Sequence, residues 1–228
     1  MKSGLGKAAV LALSLGAVSC ATPGSGPSQV EAPAIRTGDS WTYEVRIGYS
    51  DDLKATLRYQ VVGSSGDALQ FSVSGEPKTT TQSYTREWNP LTGAVLADRK
   101  VDFPQAYPRF SFPLGPGKTW VKEAAAVDPA GGRRMSVKVH ARVSGWERIK
   151  VPAGEFNALR IDRQIYVGDY EWWRSESTVL ETDWYAPEVK AVVKRETRFE
   201  YWDHLRGRNG RMYGDNVRLE LAAYRPGP

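Results

Sequence analysis

Residues 135–167 read MSVKVHARVSGWERIKVPAGEFNALRIDRQIYV, and the rhythm of this stretch decides the fold. Met135, Val137, Val139, Ala141 and Val143 alternate with Ser136, Lys138, His140 and Arg142. Leu159, Ile161, Ile165 and Val167 continue the same period after a corner at Val151–Phe156. A period of two sends successive side chains to opposite faces, one dry and one wet, which is the mark of an antiparallel strand. Within the corner, Pro152 has no N–H to give to a ladder and belongs at a strand end. Gly154 supplies a positive φ at no steric cost. The Pro-Ala-Gly stretch therefore reads as a structural turn between two strands.

The same rhythm extends along the chain in both directions. Trp41, Tyr43, Val45 and Ile47 form one alternating run, and Leu53, Ala55, Leu57, Tyr59 and Val61 form another. Val217, Leu219, Leu221 and Ala223 form a third. Turn signals such as Gly63-Ser64-Ser65-Gly66 and Asn209-Gly210 separate these runs. The prediction is an all-β protein with little helix. It has a single curved antiparallel sheet, a half-barrel or open barrel of roughly ten strands, in one β domain over residues 37–225. A single turn of helix is predicted at Lys122–Val127. Gly38-Asp39-Ser40-Trp41 and Gly117-Lys118-Thr119-Trp120 echo one another, each followed by a strand, a polar turn and a second strand.

The first twenty residues, MKSGLGKAAVLALSLGAVSC, have a basic start at Lys2 and Lys7 and an apolar stretch from Ala8 to Val18. That stretch has the length of a signal peptide and is too short for a membrane-spanning helix. It resembles a bacterial lipoprotein signal. The resemblance implies removal of residues 1–19 and a lipid on Cys20, although Ala17 stands where Leu is commonest. An ordinary secretory signal is the alternative. Cys20 is the sole cysteine, and lipid attachment would consume a thiol that is a liability in an oxidising compartment. Ala21, in place of Asp, points by the same resemblance to the outer membrane, with the domain on its periplasmic face. Residues 20–36 read as the lipidated Cys and a flexible tether, reaching roughly 20–25 Å for a Gly/Ser-like linker.

The chain carries a formal charge of +5, two units of which leave with Lys2 and Lys7. The small remainder and the export signal argue against nucleic acid as a partner. The bilayer through Cys20 is the first expected partner, followed by a hydrophobic ligand or an envelope protein.

Four motifs carry a wider resemblance: GDSWTYEV at 38–45, FPLGPGKTW at 112–120, VPAGEFNALRI at 151–161 and TDWYAPEVKAVVKRE at 182–196. In this order they resemble a group of uncharacterised bacterial envelope lipoproteins with a G-x-S/T-W … V-P-A-G-x-F … W-Y-A-P signature. The resemblance implies an envelope domain with a curved antiparallel sheet, and it brings no catalytic residues with it.

The chemistry suggested by the residues is sparse. His140 lies among Lys138 and Arg142, a poor place for a cation. His204 lies near Asp203 and Asp215 without metal-ligand spacing. No nucleophile elbow, P-loop or dinucleotide fingerprint occurs. Glu171, Glu176, Glu181 and Asp183, with Trp172, Trp173 and Trp184 nearby, leave a glycan hydrolase as a minor alternative, with these acids otherwise read as surface groups. Two anomalies are sharper. Arg163 and Arg195 fall in the inward phase of their strands, so each needs a bulge, a route to solvent, a buried carboxylate or an anionic ligand. Trp172 and Trp173 are adjacent and must point to opposite faces, so one is a candidate contact for a partner or a glycan. The expectation is a non-enzymatic binding or envelope-assembly module without cofactor or metal. It has an apolar concavity, or alternatively serves as a scaffold whose interior its own side chains fill.

Overall fold

The computed structural model describes residues 22–75, 78–96, 99–168, 172–205, 210–214 and 216–228. The predicted signal segment 1–19 and Cys20 lie outside the described residues. The described chain is all-β, apart from a 3-10 turn at Pro187–Val189. The strands are β1 (Thr22–Pro23), β2 (Ser40–Ile47), β3 (Leu53–Ser65), β4 (Ala68–Ser74), β5 (Thr80–Thr85), β6 (Pro90–Thr92), β7 (Ala94–Leu96) and β8 (Arg99–Val101). They continue as β9 (Thr119–Val127), β10 (Arg134–Val151), β11 (Gly154–Val167), β12 (Arg174–Ala186), β13 (Ala191–Asp203), β14 (Gly210–Tyr213) and β15 (Val217–Arg225).

Thirteen of these form one curved antiparallel sheet that does not close into a barrel. Its order is β1-β10-β11-β12-β13-β15-β2-β3-β4-β5-β6, with β9 also on β10 and β14 also on β13. β7 and β8 form a separate hairpin. Among the described residues ten strands have six residues or more, as the alternation predicts, and five more of two to four residues carry no readable alternation. Lys122–Val127, predicted as a turn of helix, lies in β9 and pairs with β10 from Lys122↔Val139 to Val127↔Arg134. Its alanines alternate between the two faces of the sheet, Ala125 exposed and Ala126 buried, and offer no apolar stripe of helical period.

The VPAGEF corner is the tight turn expected of it. Beyond the bulge at Val143–Gly145, β10 and β11 pair continuously from Gly145↔Arg160 down to Val151↔Gly154, and Gly154 has φ +133°. The Ala153 N–H donates to the Leu221 carbonyl, which fastens the corner to β15.

The echo between the two Gly-Trp motifs is structural. The Gly38 N–H donates to the Val61 carbonyl, and the Val61 N–H donates back to the residue after that glycine, Asp39. Gly117, Val143 and Lys118 repeat the exchange. Both glycines sit at positive φ, +92° and +83°. Both partner strands shift register just beyond the valine, between Val61 and Gly63 and between Val143 and Gly145. Both tryptophans are buried and donate to a distant carbonyl, Trp41 to Val189 and Trp120 to Pro108.

The segment between the two meanders, residues 90–117, fills the curve of the sheet. Phe103, Tyr107, Phe110 and Leu114 are buried in it against Ile161, Ile165, Val179 and Tyr185. A second cluster around Trp41, Phe71, Val73 and Val193 lies in the other half, and Trp88 packs against both. The apolar concavity is therefore largely filled by the chain itself.

Residues 22–36 correct the predicted tether. β1 pairs with Arg148 and Glu147 of β10, and the Gly24 N–H donates to the Trp146 carbonyl. The Trp146 indole donates to the Pro27 carbonyl at 3.1 Å. Val30 bridges Leu114, and both Val30 and Ile35 are buried. Proline and glycine content alone suggested a free linker. Two apolar residues and one sheet edge are enough to lay the segment down.

Asp39 knots the far end together. It is fully buried and accepts hydrogen bonds from the Arg36 and Gly227 N–H groups and from Lys190 Nζ. Burial alone would raise its pKa, but these donors outweigh it and hold the carboxyl below its ordinary value.

Replacement of Trp41 by Ala should lower the unfolding free energy by about 3–5 kcal/mol in urea titration. Trp172→Ala, at an 80 % exposed position, should change it by less than about 0.5 kcal/mol.

Candidate functional site

β11, β12 and β13 lie side by side, and their register brings charge inward. Arg163 faces Glu181 across the β11–β12 pair, and Asp183 faces Arg195 across the β12–β13 pair. On β12, Val179, Glu181, Asp183 and Tyr185 share one phase and all four are buried. Arg163 Nη1 donates to Glu181 Oε1 and to Asp183 Oδ2, both at 2.8 Å. Arg195 grips Asp183 with two donors, Nε to Oδ1 at 2.6 Å and Nη2 to Oδ2 at 2.9 Å. Its Nε also lies 3.4 Å from Glu181 Oε2. Arg163 Nε donates to the Arg109 carbonyl, and its guanidinium lies over the Phe110 ring. The Arg163 side chain is wholly buried.

Arg109, on the filling segment, is the third cation. Its nearest carboxylate oxygen is Glu181 Oε1, 3.9 Å from Nε. Its Nε is buried without a hydrogen-bond partner, as are Arg163 Nη2 and the Tyr107 hydroxyl. The cluster thus holds three guanidiniums against two carboxylates. Burial would raise the Asp183 pKa, but the charges of Arg195 and Arg163 dominate and hold it well below the ordinary carboxylate range.

A cleft opens over this cluster. It is small, with about 50 Å³ of accessible space, and opens to solvent at its mouth. Arg109 and Arg195 stand in its wall with Tyr43, Tyr84, Trp88 and Phe110. Tyr59, Ala191, Val192 and Leu219 complete it. Tyr43 donates to the Val192 carbonyl and Tyr84 to Gln82 Oε1. Burial pushes both phenols above their ordinary value, so they stay neutral. Trp88 has φ +62°, a left-handed backbone that costs a bulky residue about 1–2 kcal/mol. Its ring is held by Trp41, Phe71 and Tyr84 at centroid distances of 4.9, 4.8 and 5.5 Å. Its indole donates to the Lys190 carbonyl.

The residues singled out from sequence fall in separate places. Arg163 and Arg195 meet at Asp183. Trp172 is exposed, whereas Trp173 is half-buried with its ring edge-on to Tyr201 at 6.1 Å. Glu181 and Asp183, expected among surface acids, are instead buried partners of the arginines. The reason is their shared phase with Val179 and Tyr185. Glu176 is exposed, and Glu171 lies outside the described residues. Trp184 donates to Glu147 Oε2 and lies under Lys194. His140 meets Tyr166 edge-on, and His204 Nε2 lies 2.8 Å from Ser175 Oγ. Sequence reasoning missed Arg109 and the aromatic wall. Arg109 sits in an irregular segment with no phase to read. Tyr43, Tyr59 and Tyr84 come from strands whose meeting depends on curvature.

No family model matches the chain, and no curated protein matches it. Three solved structures are similar in outline. One, provisionally described as an exported protein with a YmcC-like fold from Bacteroides fragilis, is 12 % identical. The match covers 86 % of this chain and 99 % of that one, with a TM-score of 0.49. A chain provisionally described as a lipoprotein from Parabacteroides distasonis gives 13 % identity, the same coverage and a TM-score of 0.49. The hypothetical lipoprotein YmcC from Escherichia coli gives 10 % identity, 83 % and 85 % coverage, and a TM-score of 0.42.

Asp183→Asn should cost about 3–5 kcal/mol at neutral pH, because it takes the shared counter-charge from buried Arg163 and from Arg195. The Asp183 carboxyl is depressed in the folded state, so its contribution is full above its ordinary pKa of 3.8 and fades as pH falls below that. The stability gap between wild type and Asp183→Asn, measured by urea unfolding, should therefore shrink as pH drops from 5 to 2. Asp183→Leu combined with Arg163→Met and Arg195→Met should recover part of the neutral-pH loss.

Proposed function

We propose that this protein is an exported lipoprotein of the bacterial envelope, held by a lipid on Cys20 and serving as a non-enzymatic binding module. The cleft under Trp88 carries the binding part of this reading. It combines an aromatic wall with two guanidiniums, Arg195 from strand β13 and Arg109 from the segment that fills the curve. The acids beneath it support binding rather than acid–base work. Glu181 and Asp183 are each engaged by arginine, which commits their oxygens to guanidinium donors instead of leaving them free to exchange a proton with a ligand.

The anchor rests on the first twenty residues and on the lone cysteine, and the outer membrane on Ala21. Membership of the uncharacterised lipoprotein group is part of the proposal. It is supported by where the shared motifs meet. The Trp41 indole of the first motif donates to Val189, at the end of the turn that the Trp-Tyr-Ala-Pro motif enters. A second reading, contact with an envelope protein, draws on Trp172, which projects from the β11–β12 end of the sheet at 80 % exposure.

In its native bacterium, or a lipoprotein-processing host, the wild-type chain should incorporate radiolabelled palmitate and sediment with membranes. Cys20→Ser should lose the label and appear in the soluble fraction. Label retained on the Cys20→Ser chain would defeat the anchor assignment.

A further inference from the structure

The charges around the cleft do not balance. Arg109, Arg163 and Arg195 face Glu181 and Asp183, and no carboxylate stands in the cleft wall. Asp183 is saturated by Arg195 and Arg163, and Glu181 is taken at short range by Arg163. Arg109 is left over. Among the described residues its guanidinium donates no hydrogen bond, and its one carboxylate neighbour stands off at 3.9 Å. A cation 14 % exposed, with an unpartnered buried Nε, is an expensive thing to keep.

The surroundings narrow what would satisfy it. A guanidinium fork pairs best with a planar anion that accepts two hydrogen bonds. Phe110, Tyr84 and Trp88 supply flat apolar faces beside it, suited to a ring or short hydrocarbon. The cleft has only about 50 Å³ of accessible space and an open mouth. It therefore takes a small head group and the near part of a compact body, and leaves no room for full acyl chains.

We infer that the cleft binds a small organic carboxylate, with its carboxylate on Arg109 beside Arg195 and its apolar or aromatic body against Trp88, Tyr84 and Phe110. This assignment rests on the proposed reading of the domain as a binding module. The excess guanidinium selects the head group, and the strained Trp88 backbone holds the aromatic wall in place before the ligand arrives.

The test uses the full chain, purified in detergent, with three probes, 4-phenylbutyrate, its neutral amide and inorganic phosphate, by isothermal titration calorimetry and quenching of tryptophan fluorescence. The expected result is saturable binding of the carboxylate, at least about tenfold weaker binding of the amide, and no competition from phosphate at equal concentration. Arg109→Gln should weaken phenylbutyrate binding by about tenfold or more, whereas Arg142→Gln, an exposed base on β10, should leave it unchanged. Equal binding of the amide overturns the charge assignment while keeping the cleft as a binding site. Competition by phosphate overturns the organic-carboxylate assignment. Binding of none of the probes overturns the inference, and the palmitate experiment then still decides the anchor separately. The comparison of carboxylate with amide uses wild-type protein, so it holds even if Arg109→Gln fails to fold.

Discussion

Between β6 and β9 the sheet has two free ends, and its inner face is apolar, so that face stays dry only if the chain itself covers it. Residues 90–117 do this. They leave the first meander at β6, cross the curve with Phe103, Tyr107, Phe110 and Leu114 buried beneath them, and enter the second meander at Gly117. The two Gly-Trp motifs make the arrangement reproducible. Each glycine turns the chain into a strand, each tryptophan fills the space behind, and each partner strand bends at a bulge where curvature is needed. A closed barrel would abolish its edges and need no such plug. An open sheet with an internal plug keeps a seam, and the seam between plug and sheet is where the cleft lies.

Charge inside such a domain has to be organised along the same strands. β11, β12 and β13 place these charges on two adjacent inner rows, Arg163 opposite Glu181 and Asp183 opposite Arg195, so that neighbouring strands present opposite charges directly across the ladder. A buried row of this kind is weak evidence for stability, since apolar residues of the same volume would serve as well or better. What it does provide is a fixed platform of guanidiniums beneath an aromatic wall. Arg109 arrives from the plug, not from the sheet, so the third cation is present only when the plug is seated.

Much of this was open to reading in the amino acids. The two-residue period identified the sheet, and the phase of Arg163 and Arg195 put both on the inner face where they lie. The same phase also held Glu181 and Asp183, yet four acids near three tryptophans drew attention to surface chemistry instead. Alternation has to be counted for charged residues as strictly as for apolar ones. Other features have no local signal. Half of Lys122–Val127 is alanine, and only its pairing with β10 makes it a strand. The cleft joins residues more than a hundred positions apart, Tyr43 with Val192 and Trp88 with Lys190. No spacing rule encodes such a meeting. It follows from curvature, which depends on bulges that cost one residue each and leave the composition unchanged.

The laid-down N-terminal segment has a mechanical consequence. Only Ala21 separates Cys20 from the first paired residue, Thr22, and two residues of extended chain span about 7 Å. A lipid on that cysteine would hold the body almost in touch with the headgroups. The body would have little freedom to swing and a set attitude, with the Trp146–Arg148 flank turned toward the bilayer. Arg148 and Lys150 lie exposed on that flank, where anionic headgroups would reward them. What approaches such a protein from the periplasm would meet the same side every time.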